Sequence, residues 1–409
     1  MKKYILFLAS IVFTFTSLSA QFDYGCDGER YVNNVITTFT QETVQYGRNV
    51  LPNGDSINLF MNVFSPDMDD ADKRPIIILA HSGAFISGDK AEMNPFCERL
   101  AGLGYVAATI DYRLLDILNG IPDSVASMDI AVKASHDLKA AIRYFKASAA
   151  SDNIYNIDGD MMFIGGYSAG AITALLTGVL DENEIEQEFI LDLLEANGGF
   201  EGNSGNPDHL VYDTEVRGIL NLSGAVYDTS WIDATDPVIQ SFHGTEDGTV
   251  GFGKAFATVF TVQIICLHGS GNIIQRTENL GVPGYLYSVE GGDHGDIYFE
   301  NQYENDRDAF TGHADTTFAE IICGTLVDVF EDEYVTINVY PNPASDYIIV
   351  EGIQNPTEFR IYNQNGQLER NESLRTDATI DVSHLSAGMY SYQLSSKDSS
   401  LTKSFVIIK

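Results

Sequence analysis

The sequence predicts an α/β fold with one mainly parallel sheet, followed by a small all-β sandwich, and three observations carry that prediction. Short continuous apolar runs alternate with helical segments between residues 75 and 329, as parallel strands buried on both faces do. One run, Met161-Met162-Phe163-Ile164, leads through Gly165 into Gly166-Tyr167-Ser168-Ala169-Gly170 and then the helix-forming Ala171-Ile172-Thr173-Ala174-Leu175-Leu176. Past Phe330-Glu331-Asp332-Glu333 the pattern changes to short strands and turns.

In chain order, residues 1-20 pair Lys2-Lys3 with a short apolar run ending in Ser17-Leu18-Ser19-Ala20, the make-up of a secretory signal rather than a membrane span. Val35 to Thr40 and Ile57 to Phe64 read as antiparallel opening strands around Asn53-Gly54. The runs at 75-80, 105-110, 161-164, 218-222, 238-242 and 285-289 read as sheet strands. Ser127 to Ala147, Ala169 to Leu180, Ile185 to Leu194 and Thr316 to Val329 read as helices. Residues 21-333 thus form the larger predicted domain. In 334-409, Tyr347 to Val350, Phe359 to Tyr362, Gln367 to Glu369, Ala387 to Leu394 and Ser404 to Lys409 read as strands, with Asn365-Gly366 as a hairpin turn.

A chain of 409 residues exceeds one ordinary domain. Lys+Arg 23 against Asp+Glu 58 gives a net charge of -35, which opposes nucleic acid and anionic membranes as partners. Nearly all of the excess falls on residues 21-333, where it reads as a solvated surface, with a calcium site as the alternative. No stretch after the leader is long enough to span a bilayer. Export permits disulfides. The four cysteines, Cys26, Cys97, Cys266 and Cys323, allow three pairings, and the expected one joins Cys26 with Cys97 and Cys266 with Cys323.

A serine nucleophile needs a base to take its proton, a carboxylate to orient the base, and donors for the oxyanion. Ser168 stands at a strand-turn-helix elbow. An acid follows the strand 238-242 in His243-Gly244-Thr245-Glu246-Asp247, and a histidine follows the strand 285-289 in Glu290-Gly291-Gly292-Asp293-His294. Asp247 and His294 are therefore the candidates, with Glu246 as the rival acid and His268, His313 and His384 as rival bases. His243 and Asp293 read as residues that shape their loops. The N-H groups of Gly83, Ala84 and Ala169 are the expected oxyanion donors. The insertion at 181-215 carries an apolar helical stripe of Ile185, Phe189, Leu193 and Leu194 among many acids. It reads as a helix covering the core or as an acidic cap over the cleft.

Residues about 30-330 resemble the α/β-hydrolase superfamily, specifically secreted carboxylesterase-like members with an HGG-type oxyanion loop. His81-Ser82-Gly83-Ala84-Phe85, Asp111-Tyr112-Arg113-Leu114, Gly166-Tyr167-Ser168-Ala169-Gly170, His243 to Asp247 and Asp293-His294-Gly295 carry the resemblance. Ser82 stands where that pattern usually has Gly. Residues about 338-409 resemble the type A C-terminal sorting domain of the type IX secretion system through Tyr340-Pro341-Asn342-Pro343-Ala344, Tyr362 to Gly366 and Ala387-Gly388-Met389-Tyr390. Together these imply a secreted or surface-exposed serine hydrolase of carboxylic esters. It would need no cofactor or metal, would act on a small-molecule or glycan-linked ester, and would meet the type IX machinery through its tail. A peptidase on the same fold and a catalytically silent adhesion module are the rival readings.

Overall fold

The computed structural model describes residues 23-409 apart from Pro52, Met68, 117-119, 183-184, 325-337, 342-343, 354-356, 364-367 and 396-399. The chain divides into two compact units, Met1–Cys323 and Gly324–Lys409. The expected signal segment 1-20 and the Asn365-Gly366 turn lie outside the described residues.

The first unit opens with β1 (Phe39–Val50) and β2 (Ser56–Pro66), then β3 (Arg74–Ala80), α1 (Asn94–Leu103), β4 (Val106–Ile110), α2 (Ser124–Ala150), β5 (Ile157–Tyr167), α3 (Ala169–Val179) and α4 (Glu188–Ala196). It continues through β6 (Gly218–Leu222), β7 (Ala225–Val226), β8 (Val238–Gly244), β9 (Lys254–Val259), β10 (Val262–Gly269), α5 (Ser270–Leu280), β11 (Gly284–Val289), α6 (Asp296–Phe299) and α7 (Glu304–Ile322). Eight strands form one sheet in the order β1-β2-β4-β3-β5-β6-β8-β11. From β4 through β11 every pairing is parallel, and only β1-β2 and β2-β4 are antiparallel.

Alternation along the apolar runs explains why they can be continuous. In β3, Ile76, Ile78 and Ala80 join the core under α2 and α3, while Ile77 and Leu79 join the core under α1 and α7. Both faces are covered, so neither set of side chains has to be polar.

Several bounds differ from the sequence reading, each for a local reason. The first strand is not Val35 to Thr40 but Phe39–Val50, because its partners run from Phe39 opposite Pro66 to Val50 opposite Ser56. As an edge strand it keeps one face in water and tolerates the polar residues that hid it. The last helix starts at Glu304 rather than Thr316. Glu304 and Asp306 lie in its first turn, where carboxylates suit the N-terminal end of the helix dipole. The hairpin β9-β10 and helices α1 and α5 are additions to the sequence reading.

The disulfide expectation was wrong. Cys26 bonds Cys323, and Cys97 and Cys266 are free. Tyr31, Cys97, Phe318 and Ile322 share one core, so the N-terminal segment and the end of α7 meet on the same face of the sheet. Cys97 points into that core from α1, and burial pushes its thiol well above the usual range. Cys266 lies on β10, paired opposite Phe256. The bond ties residues 297 apart in sequence, and Cys26→Ser is expected to cost about 2–4 kcal/mol. Thermal unfolding checks this: a reductant should lower the midpoint of the wild type to that of the variant and leave the variant unchanged.

The second unit has β12 (Asn338–Tyr340), β13 (Tyr347–Glu351), β14 (Thr357–Asn363), β15 (Leu368–Leu374), β16 (Ala378–Asp381), β17 (Gly388–Ser395) and β18 (Ser400–Ile407). Two antiparallel sheets, β12-β13-β16 and β15-β14-β17-β18, contribute Ile348, Val350 and Ile380 from one and Phe359, Ile361 and Leu394 from the other to one core. That is an all-β sandwich. Among the described residues no helix is long and apolar enough to cross a membrane.

Candidate active site

Parallel strands deliver their following loops to one edge of the sheet, which is where ligands bind in open α/β sheets. β3 ends into 81-88, β5 into Ser168, β8 into 245-250 and β11 into 290-295. Ser168 sits between β5 and α3 with φ 56° and ψ -117°, a backbone region costly for any residue with a Cβ. The turn survives because the chain crowds it. A Cβ on Gly170 would lie 2.0 Å from the carbonyl oxygen of Ala80, and Ser168 N-H donates to Leu222 O at 2.8 Å.

The structure brings Ser168, His294 and Asp247 together. Ser168 Oγ lies 2.8 Å from His294 Nε2, and His294 Nδ1 lies 2.7 Å from Asp247 Oδ2. Burial alone would raise the Asp247 carboxyl, but hydrogen bonds from His243 and His294 outweigh it and hold the group below the usual carboxylate range. A carboxylate only accepts, so Nδ1 carries the imidazole proton and Nε2 offers its lone pair to the Ser168 hydroxyl. Asp247 Oδ1 accepts from the N-H groups of Thr249 and Val250 at 2.9 and 2.8 Å.

His243 proves more than a loop residue. Its Nε2 donates to Val250 O at 2.8 Å and lies 3.2 Å from Asp247 Oδ2, while Nδ1 accepts from Ser270 Oγ at 2.8 Å. Asp293 Oδ1 accepts from Gly248 N-H at 3.0 Å and His294 N-H at 2.8 Å, tying the acid loop to the histidine loop. Tyr167, between Gly166 and Ser168, donates its hydroxyl to His294 O at 2.9 Å. Nothing in the motif spacing marks Tyr167 for that contact.

The rival residues stand elsewhere. Glu246 is exposed, His268 is paired within β10 opposite Val226, His313 stacks on Tyr285 with centroids 3.6 Å apart, and His384 belongs to the second unit. Among the described residues no cluster of His, Cys, Asp and Glu could hold a metal ion.

Loop 81-88 is folded tightly, with the N-H groups of Ile86 and Ser87 donating to Gly83 O at 3.0 and 3.1 Å. Gly83, Ala84 and Phe85 have φ of 110°, 54° and 62°, and a Cβ on Gly83 would meet Ser87 O at 2.0 Å. Ser82 is not at positive φ, so a serine fits where the resembling pattern has glycine. Its hydroxyl donates to Glu92. Among the described residues no acceptor takes the N-H of Gly83, Ala84 or Ala169.

Beside Ser168 lies a cavity of ≈ 80 Å³ walled by Phe85, Met128, Leu176, Trp231, Ile265 and Leu267, among others. Its cover comes from the β9-β10 hairpin and Tyr227, and no described residue of 181-215 lines it. The cap reading of that insertion therefore fails. Instead α4 buries Ile190 and Leu194 in the core, and Phe189 packs on Tyr227 from behind.

No curated protein matches the chain's sequence. The solved structures it resembles include esterase 2 of the planctomycete Thermogutta terrifontis with propionate bound, at 20% identity over 68% of this chain and 94% of that one, TM-score 0.48. The same esterase phosphorylated by paraoxon matches at 22% identity over 69% of this chain and 94% of that one, TM-score 0.48. Family models match two segments, BD-FAE over residues 61–224 and the secretion system C-terminal sorting domain over residues 338–409. The first unit accordingly has the α/β-hydrolase fold and matches the BD-FAE esterase family over residues 61–224, ahead of a segment that matches the type IX secretion sorting domain.

Proposed function

We propose that the chain is a secreted serine carboxylesterase that removes short acyl groups from soluble or carbohydrate-linked esters through an acyl-enzyme. The observation that carries this reading is the unbroken relay from Ser168 Oγ through His294 to Asp247, opening beside an apolar cavity of acyl size. Ser168 Oγ attacks the ester carbonyl carbon as its proton passes to His294 Nε2. The carbonyl electron pair moves onto oxygen, which the N-H groups of Ala169, Gly83 and Ala84 hold. Collapse expels the alkoxide, which takes the proton from His294. Water then gives its proton to His294 as it attacks the acyl-enzyme, and His294 returns that proton to Ser168 Oγ as the acid leaves. Asp247 keeps the imidazole in the productive tautomer and offsets its charge while it is protonated. No cofactor takes part in these steps. Export is proposed to use the leader 1-20 and then the tail 334-409, leaving catalysis to residues 21-333.

Cavity size sets the acyl preference. An apolar cavity of about 150 Å³ holds benzene, so ≈ 80 Å³ suits an acyl chain of about two to four carbons. Forcing extra methylenes into a packed pocket costs about 1–3 kcal/mol, or about 5- to 150-fold in kcat/KM. A series of p-nitrophenyl esters from acetate to palmitate, below and above micelle formation, should peak at the short end with no jump at the micellar point. A long-chain optimum, or a rise on micelle formation, would show a lipase.

A further inference from the structure

The acid of the relay stands on residues 245-253, between β8 and β9, a loop with neither helix nor strand. Side chains must there supply the holding that ladder bonds give elsewhere. Two features depend on this loop. Asp247 Oδ2 orients His294, and Thr249 and Val250 wall the cavity beside Ser168. They form one piece, because the N-H groups of Thr249 and Val250 both donate to Asp247 Oδ1.

A buried chain of polar groups reaches the loop from behind. Asn221, Ser270 and His243 are each 0% exposed, and one backbone group fixes where their hydrogens lie. Gly224 N-H can only donate, and it bonds Asn221 Oδ1 at 2.9 Å, so the amide nitrogen of Asn221 is a donor. Its two hydrogens go to Ser241 Oγ at 2.9 Å and Ser270 Oγ at 3.0 Å. The single hydroxyl hydrogen of Ser270 is then free for His243 Nδ1 at 2.8 Å. With Nδ1 accepting, the ring proton sits on Nε2, which lies 2.8 Å from Val250 O and 3.2 Å from Asp247 Oδ2.

One N-H thus meets both the carbonyl of a cavity-wall residue and the carboxylate of the relay. Burial raises the Asp247 carboxyl, and of the contacts that more than offset this, the one with His243 is the largest. His243 is not a second base, since its lone pair is taken by Ser270. Nor does it lead a proton away, because the chain ends at an amide that does not titrate.

We propose that His243 is a positioning residue for the ester hydrolysis, its Nε2-H holding the Asp247 carboxylate and the Val250 wall of the acyl cavity in fixed relation. The proposal rests on the esterase reading. Asparagine at 243 is too short to bring an N-H to the place of Nε2, whereas glutamine reaches it, so the two variants separate that N-H from mere filling of the site. In the full-length chain, His243→Asn should lower kcat on p-nitrophenyl acetate about tenfold or more, with KM changed less than about twofold. His243→Gln should stay within about threefold of wild type. In an Asp247→Asn background, His243→Asn should cost less than about threefold, because a residue acting through Asp247 has nothing left to act on. Loosening of Val250 should also raise the ratio of kcat/KM for the hexanoate ester to that for the butyrate about threefold or more. Circular dichroism and the unfolding midpoint check folding. If His243→Asn does not fold, Ser270→Ala, which withdraws the hydrogen from Nδ1 and leaves the ring in place, should lose about fivefold or more, again only while Asp247 is present. Equal rates in the asparagine and glutamine variants, a loss that multiplies in full with that of Asp247→Asn, or an unmoved hexanoate ratio would overturn the role. Wild-type protein inert on p-nitrophenyl acetate would overturn the esterase reading itself, and this inference with it.

Discussion

Ser168→Ala is expected to lower kcat on p-nitrophenyl acetate by about 10⁶ while the protein stays folded, since triad members act as a unit. The residual rate should still exceed the uncatalysed one by about 10³, supplied by the oxyanion donors and binding. Folding should survive because alanine keeps the Cβ at φ 56° and adds no new strain. The hydroxyl it loses is bonded to His294, which can turn to water at 15% side-chain exposure. Single-turnover kinetics together with circular dichroism and the unfolding midpoint would check both halves. Retained turnover in a clean preparation would remove Ser168 from the mechanism.

Asp247→Asn is expected to lower kcat by about 10⁴, and Glu246→Gln by less than about threefold. The amide introduced by Asp247→Asn can present N-H to His294 Nδ1, which then holds the lone pair and leaves the wrong tautomer facing Ser168. Glu246 is exposed and touches neither histidine. The reverse ranking would exchange the two acids. The same substitution has a signature in stability. The folded Asp247 carboxyl titrates below its unfolded value, so its ionised form stabilises the fold above about pH 4. That contribution is lost as pH falls through the folded value. The gap between the unfolding midpoints of wild type and Asp247→Asn should therefore narrow on acidification below about pH 4.

The sheet and the relay were legible because their grammar is local. In a parallel sheet every strand must be followed by a loop at one edge, so apolar runs ending in Ser168, Asp247 and His294 could be read in order without any contact information. The parts that were not legible depend on the path of the chain in space. The Cys26 and Cys323 pairing follows from the N-terminal segment and α7 sharing one core, which no spacing reveals. The β9-β10 hairpin escapes a sequence reading because its two-residue turn is Phe260-Thr261, held at φ 46° and 70°, where Asn-Gly is the usual signal. Phe260 is also 66% exposed, an aromatic at a strained turn beside the cavity. The apolar stripe at 181-215 left a cap open beside a core cover because amphipathic helices read alike whether they cover a core or a cleft. His243 does shape its loop, but its approach to Asp247 requires the loop to fold back from Gly244 to Val250.

An acyl-enzyme on Ser168 is trapped by acid-quenching the full-length chain during turnover of p-nitrophenyl acetate and mapping its peptides by mass. One acetyl group is expected on the peptide containing Ser168, formed with a burst of p-nitrophenol and absent from Ser168→Ala. Turnover with that peptide unmodified, or with the acetyl group carried by another residue, would contradict it.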